Sequence, residues 1–225
     1  MARLPGHRAA GGRHPPVSGH DDPHGRRLVL LRHGRTAHNH ARRIQGQLDV
    51  PLDDVGHQQA AAVAPAMAAL APAAVWVSDL LRTRQTAEPV LAACRRAASY
   101  DARLREFHLG ERQGLSHEEY AAQPPEEFAR FHQGDFDVVP GGESTEAVRA
   151  RMVDALTGLL ASVAPGETAL AVSHGAAIRV ATVGLLGWPT EQVHSLRGLG
   201  NCGWVELLEQ PETGRLRLLA YHRTA

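Results

Sequence analysis

The strongest constraint on the fold is a series of short apolar runs separated by longer, partly polar segments. The runs RLVLL (27–31), AVWVS (74–78) and TALAVS (168–173) are each only five or six residues long. Runs of this length that lack alternating polar positions are typical of strands buried on both faces of a sheet. We therefore predict three central strands, each covered by helices on both sides.

Helical segments lie between these strands. They are predicted over residues 54–70, 79–96 with Asp79 as N-cap, 143–163 and 174–186. A short strand near 99–101 and an antiparallel hairpin around a turn at 211–214 complete the pattern. Strands that alternate with helices predict an α/β protein with three α/β/α layers, a mostly parallel central sheet and the hairpin at its edge.

Two segments depart from this alternation. Residues 1–25 contain Pro, Gly, His and Arg with almost no aliphatic side chains, so we predict a disordered tail in front of one domain at 26–225. Residues 115–142 contain two short helical stretches between Pro-Pro and Gly-Gly breaks. We predict that this second segment is an inserted lid.

Composition excludes several classes of protein. The 24 basic residues, all Arg, balance 24 acidic residues, which argues against the broad basic surface of a nucleic-acid binder. Any anion site must therefore be a local cluster.

Cys94 and Cys202 form no CxxC pair, which favours a reducing cytoplasm. The uncharged run 60–77 contains Pro65 and Pro72, so a helix followed by a strand is favoured over a membrane span.

Arginine and histidine follow all three central strands. Arg32 and His33 end the first run, Arg82 follows the second, and His174 follows the third. Ligands of open α/β sheets bind beyond the carboxyl ends of the strands, so these four side chains can converge. The planar arginine fork matches phosphate oxygens, and the helix that opens after His174 adds backbone N–H groups and its positive end. This arrangement predicts a phosphate site.

Six segments also carry a family resemblance. They are LRHGRTAHN (31–39), QGQLDVPLDDVGHQQA (45–60), SDLLRTRQTA (78–87), LREFHLGERQG (104–114), GGES (141–144) and VSHG (172–175). In this order and spacing they resemble the signature segments of the histidine phosphatase superfamily, the phosphoglycerate-mutase-like proteins. The resemblance extends over about residues 27–208, and the context of segment 104–114 is similar to the phosphatase branch.

The resemblance implies a role for each strand-end residue. His33 would attack phosphorus and form a phosphohistidine, while Arg32, Arg82 and His174 would hold the phosphoryl oxygens. Further contacts with phosphate or substrate are implied for Gly34, Arg35, Thr36, Asn39, Gln45, Gly46 and Gly175.

A carboxylic acid must protonate the leaving oxygen. Glu106 matches the acid position of the phosphatase branch and would act as proton donor and then acceptor, with Glu111 as the local alternative. Glu143 and Ser144 match a segment that closes over the site, with no role assigned. Asp53 is interpreted as a helix cap.

No metal or other cofactor is implied, because the arginines would neutralise the phosphate charge. The HDDPH sequence at 20–24 could bind a metal, although incidental histidines are the simpler interpretation. The implied partner is a small phosphorylated metabolite, with glucosyl-3-phosphoglycerate as one candidate, and neither nucleic acid nor membrane. A homodimer through the C-terminal hairpin is left open. Alternatives are a broad sugar-phosphate phosphatase, a phosphoglycerate mutase, or a phospho-ligand binding module without turnover.

This chain also departs from the family pattern. Many members have Trp-Glu-Gly at 112–114 and Glu or Gln at 35, where this chain has Arg112 and Arg35. We hypothesise that Arg35, Arg112, His108 or His132 contacts a second anionic group of the substrate. Independent solvation of these side chains is the alternative.

Overall fold

The computed structural model describes residues 24–225, so the predicted tail lies outside the described residues except for its last two positions. The strands are β1 (Arg27–Arg32), β2 (Pro72–Val77), β3 (Ser99–Tyr100), β4 (Thr168–Ser173), β5 (Trp204–Glu209) and β6 (Leu216–Arg223). The α-helices are α1 (Ala37–His40), α2 (Asp54–Ala69), α3 (Leu81–Cys94), α4 (His117–Ala121), α5 (Pro125–His132), α6 (Thr145–Ala161) and α7 (Gly175–Leu185).

The six strands form one sheet in the order β3-β2-β4-β1-β5-β6. The pairs β1–β4, β4–β2 and β2–β3 are parallel, whereas β5 runs antiparallel to β1 and β6 antiparallel to β5. The mostly parallel sheet with an antiparallel hairpin at one edge is therefore confirmed. All six residues of β4 are buried, as expected for a central strand covered on both faces.

Side chains of β1 alternate between the two faces of the sheet. Leu28 and Leu30 belong to the core cluster formed with α6 and α7, whereas Val29 and Leu31 belong to the cluster formed with α2 and α3. Successive side chains of a strand point to opposite faces, so one apolar run supplies both clusters. The predicted three-layer α/β/α architecture is confirmed.

The predicted cap of α3 is wrong. The helix begins at Leu81, and its first amide donates to Asp49 Oδ1 at 2.6 Å. Both carboxylate oxygens of Asp79 instead accept from the Arg105 guanidinium, at 2.7 and 2.6 Å. Asp79 therefore forms an ion pair with a loop distant in the chain and does not cap α3. Strand β2 also begins earlier than predicted, at Pro72, because the first residue of β4 pairs with it there.

Segment 115–142 forms the two predicted short helices, α4 and α5. Ser116 and Glu119 make a capping box at the start of α4, and Tyr120 and Phe131 are buried between the helices. Their rings lie 5.1 Å apart. The role of this segment as a lid stays a prediction.

The uncharged run 60–77 contributes to α2 and β2, and none of the helices within 24–225 is long and apolar enough to cross a membrane.

Candidate active site

A cavity of about 180 Å³ lies at the carboxyl ends of the parallel strands. Four residues implied in catalysis contribute to its wall: Arg32, His33, Arg82 and Glu106. The other lining residues are Asn39, Arg43, Ile44, Gln45, Gly46, Phe107, Leu109, His117, Phe131, Phe136 and Ala176. A larger cavity of about 680 Å³ lies at the opposite end of β1, but its lining residues include none of these side chains.

His33 has a defined tautomer in this structure. Its side chain is 3% exposed, and Nδ1 lies 2.7 Å from the carbonyl oxygen of Gly34. Because a carbonyl only accepts hydrogen bonds, Nδ1 carries the proton and Nε2 keeps its lone pair. Burial, together with the charges of Arg82 and Arg32, holds the pKa of His33 well below its usual 6.5. The imidazole is therefore neutral near pH 7, as a nucleophile must be.

Arg82 is 1% exposed and is held in place by three hydrogen bonds. Its Nε donates to His174 Nδ1 at 3.2 Å, and its two terminal nitrogens donate to the carbonyls of Leu48 and Gly46, each at 2.7 Å. Burial lowers the pKa of Arg82 to about 10, so the group is still a cation at neutral pH. These bonds fix the plane of the guanidinium at the cavity wall.

His174 lies behind the wall rather than in it. Its Nδ1 accepts from Arg82, so Nε2 carries the proton and donates to Ser78 Oγ at 2.8 Å. The side chain is fully buried, and its ring centroid is 5.2 Å from that of His33. In this arrangement His174 orients Arg82, and direct contact with a phosphoryl oxygen stays a prediction.

Arg32 lines the cavity with a partly buried side chain. One terminal nitrogen donates to the Leu199 carbonyl, whereas Nε has no hydrogen-bond partner within residues 24–225. A Cβ on Gly175 would lie 3.2 Å from that Nε, so glycine at the start of α7 leaves room for the guanidinium. A partly buried cation with an unsatisfied donor is suited to binding an anion.

The Glu106 carboxyl group lies at the amino end of α7. Its Oε1 accepts from the amides of Phe107 and Ala177 at 3.1 and 2.9 Å, and Oε2 accepts from Ala176 at 3.1 Å. Two amides at the start of α7 therefore bind Glu106, and the contact of this helix end with a phosphate stays a prediction. Glu111, the alternative acid, is exposed and does not line the cavity.

Comparison with known proteins identifies the family. The profile of the histidine phosphatase superfamily, branch 1, matches residues 28–222. The chain belongs to this superfamily. The match includes all but the first residue of β1 and the last residue of β6, and with the strands it includes the elements that carry the residues of the cavity.

Individual relatives carry more specific names. The chain is 37% identical over 188 residues to glucosyl-3-phosphoglycerate phosphatase of Mycolicibacterium vanbaalenii, covering 81% of this chain and 84% of the relative. It is 39% identical over 179 residues to a probable phosphoglycerate mutase of Cronobacter sakazakii, covering 78% and 81%. A solved structure of mycobacterial glucosyl-3-phosphoglycerate phosphatase with VO3 superposes with a TM-score of 0.82 at 35% identity, covering 88% of this chain and 100% of that one.

The remaining family positions divide into two groups in this histidine phosphatase. Asn39, Gln45 and Gly46 line the cavity, whereas Gly34, Arg35, Thr36 and Gly175 do not. Thr36 caps α1 by accepting from the Asn39 amide at 3.0 Å, and its hydroxyl donates to Gln45 Oε1 at 2.8 Å. Thr36 therefore orients two wall residues instead of facing the cavity itself.

Gly34 and Arg35 serve packing in this structure. A Cβ on Gly34 would lie 2.6 Å from the Gly56 carbonyl oxygen, so α2 could not approach so closely. Arg35 Nε donates to Asp53 Oδ2 at 2.8 Å, and Asp53 also caps α2 as predicted, accepting from the Gly56 amide at 2.8 Å. The hypothesis that Arg35 faces a second anionic group finds no support in this geometry.

The other cations of that hypothesis also lie outside the cavity wall. Arg112 binds Glu127 through two nitrogens, at 2.8 and 3.1 Å, and neither His108 nor His132 is a lining residue. Arg43 and His117 line the cavity instead. Sequence reasoning missed both, because neither lies at a strand end or in a family segment.

Asn201 was also missed. Its Nδ2 lies 3.1 Å from the His33 carbonyl and 3.2 Å from Asn39 Oδ1, so it ties the nucleophile loop to a wall residue. Its signal in the sequence is its place in the Gly-rich segment LRGLGNCGW (196–204), which leads into β5. Among residues 24–225, no three His, Cys, Asp or Glu side chains are grouped to hold a metal ion, and the 20–24 candidate falls mostly outside that range.

The buried histidines predict a measurable pH response. Burial and neighbouring cations lower the pKa values of His33 and His174 well below 6.5. We expect their ring NMR signals not to titrate between pH 8 and pH 6, whereas the urea-unfolded chain titrates near about 6.5. Because the unfolded chain binds protons that the native state does not, the free energy of unfolding should fall as the pH drops below about 6.5. A native His33 midpoint near 6.5 would contradict this assignment.

Proposed function

We propose that this protein is a phosphoric monoester hydrolase that acts on a small phosphorylated metabolite through a phosphohistidine. The observation that carries the proposal is the state of His33, a buried neutral imidazole with Nδ1 protonated and Nε2 free. It lies in a cavity wall with two arginines and a carboxylic acid. A nucleophile, charge-stabilising cations and an acid are the groups that phosphoryl transfer to a side chain requires.

In the first step, His33 Nε2 attacks phosphorus while the bond from phosphorus to the leaving oxygen breaks. Arg32 and Arg82 stabilise the negative charge on the phosphoryl oxygens. The phosphorylated ring becomes positive, and its Nδ1 proton remains bonded to the Gly34 carbonyl. Glu106 gives its proton to the leaving alkoxide.

In the second step, the Glu106 carboxylate takes a proton from water, and the oxygen of that water attacks phosphorus. The bond between phosphorus and Nε2 breaks, which restores neutral His33 and releases inorganic phosphate. The hydrogen bonds from Phe107, Ala176 and Ala177 hold the carboxyl group of Glu106 at the cavity wall during both steps. One residue thus serves as acid and then as base.

The rest of the wall supports a substrate with a second anionic group. Arg43 lines the cavity with a half-exposed guanidinium, although one nitrogen also contacts Glu119 at 3.2 Å. His117 also lines the cavity, together with Phe107, Phe131 and Phe136, and its ring centroid lies 6.5 Å from that of Phe131. A phosphoglycerate derivative has a carboxylate for Arg43, and the relatives named above make glucosyl-3-phosphoglycerate the leading candidate.

Free thiols at Cys94 and Cys202 support a cytoplasmic location.

A phosphate-release screen in excess EDTA tests the proposal. We expect kcat/KM for phosphate release to be highest with glucosyl-3-phosphoglycerate and lower with simple phosphoglycerates. It should be lowest with phosphate esters of uncharged sugars, because only the first two substrates have a carboxylate. If phosphate esters of uncharged sugars are the best substrates, the proposed role of Arg43 is wrong. Loss of all turnover in EDTA would contradict the mechanism.

The mutase alternative is supported by the names of several relatives, which are probable phosphoglycerate mutases. It predicts exchange of the phosphoryl group between phosphoglycerates with little release of inorganic phosphate. Adding isotopically labelled phosphoglycerate to the same assay separates the two activities. A binding module without turnover would show neither.

A further inference from the structure

We propose that Arg151 and Glu143 form a clasp that positions Glu106 for proton transfer, an inference that rests on the proposed function. Arg151 lies on α6, 45 residues from Glu106 in the chain, and does not line the cavity. Its two terminal nitrogens donate to three carbonyl oxygens of the loop that carries the acid. These are the carbonyls of Arg103 and Arg105, both at 2.7 Å, and of Glu106 itself at 2.9 Å.

Glu143 completes the clasp from the other side. Its Oε1 accepts from Arg151 Nε at 2.9 Å, and Oε2 accepts from a terminal nitrogen of Arg151, also at 2.9 Å. Oε2 also accepts from the His108 amide at 2.8 Å and from Gln47 Nε2 at 3.2 Å. Gln47 Nε2 in turn donates to the Glu106 carbonyl at 3.0 Å. The Glu106 backbone is thus bonded from two directions.

The clasp acts on a segment with little regular structure of its own. Between β3 and the start of α4 the chain forms only single 3-10 turns, at Ala102–Leu104 and Gly110–Arg112. The bonds from Phe107, Ala176 and Ala177 restrain the Glu106 side chain, whereas the clasp restrains its backbone. A displacement of about 1 Å at an acid can cost about 100-fold in rate, so this restraint has a catalytic consequence. It also gives a role to the Glu of the GGES segment.

The central test is the leaving-group dependence of Arg151→Ala. If Arg151 positions the acid, kcat/KM should fall about tenfold for an alkyl phosphate and less than about twofold for an activated aryl phosphate, whose leaving group hardly needs a proton. The matched control is Arg149→Ala, on the same helix, whose guanidinium binds the Glu146 carboxylate instead of the loop that carries Glu106. We expect the control to change neither value. Equal losses on both substrates would show that Arg151 supports the fold alone.

A double-mutant cycle separates positioning from a general structural effect. In a Glu106→Gln background, Arg151→Ala should change kcat/KM for the alkyl phosphate less than about twofold, because the group it positions no longer transfers a proton. A further tenfold loss in that background would overturn the proposal. If Arg151→Ala does not fold, Arg151→Lys and Glu143→Gln retain size and are expected to show the same substrate-dependent pattern, with smaller losses.

The same data distinguish a failed clasp from a failed function. If Glu106→Gln shows leaving-group dependence and neither Arg151→Ala nor Glu143→Gln does, the clasp is wrong and the acid role of Glu106 stands. If Glu106→Gln itself affects both substrates equally, the proposed acid is wrong, and the clasp with it.

Discussion

Replacing His33 with alanine is expected to lower phosphate release by about 10⁴-fold or more. The substitution removes the only lone pair assigned to attack phosphorus, and loss of a catalytic nucleophile in other enzymes has costs on the order of 10⁶. The assay is hydrolysis of an aryl phosphate in excess EDTA, combined with rapid-quench trapping of an acid-labile phosphoenzyme in the unaltered protein.

His57→Ala is the matched control for this variant, since His57 is exposed on α2 and outside the cavity. It should retain full activity and trap the same phosphoenzyme. A His33→Ala protein that folds, as judged by circular dichroism, yet retains more than a tenth of the activity would contradict the nucleophile assignment.

Replacing Glu106 with glutamine is expected to lower kcat/KM for alkyl phosphates by about 10²–10⁴-fold, the usual contribution of a general acid. Activated aryl phosphates should lose less than about tenfold in kcat/KM, because a phenolate with low basicity leaves without protonation. Hydrolysis of the phosphohistidine also needs Glu106 as base, so the variant should release the phenol in a burst and accumulate phosphoenzyme.

Glu111→Gln is the control, because Glu111 is exposed and close to Glu106 in sequence. It should show neither the burst nor the substrate-dependent loss. If Glu111→Gln instead shows both, the acid has been assigned to the wrong carboxylate.

Strand-end position was the informative signal for the catalytic set. Arg32 and His33 directly follow an apolar run, and the structure places both in the cavity wall. The sequence did not indicate that Glu106, 70 residues earlier, accepts from two amides at the start of α7. Arg43 and His117 were missed since they reach the cavity only where the bridge between Arg43 and Ser116 joins two loops. Such loop-to-loop contacts leave no periodic pattern in the sequence.

By itself the sequence determined the order of strands and helices, the mostly parallel sheet and the family. Those properties follow from apolar runs, turn residues and motifs of a few neighbouring positions, which are local. Only the tertiary structure decided which nitrogen of His33 is free and which arginine turns to Asp53 instead of the cavity. It alone decided that Arg151 reaches the loop of Glu106. The physical reason is that a hydrogen bond is set by which groups meet in space, and these groups meet only after the chain has folded.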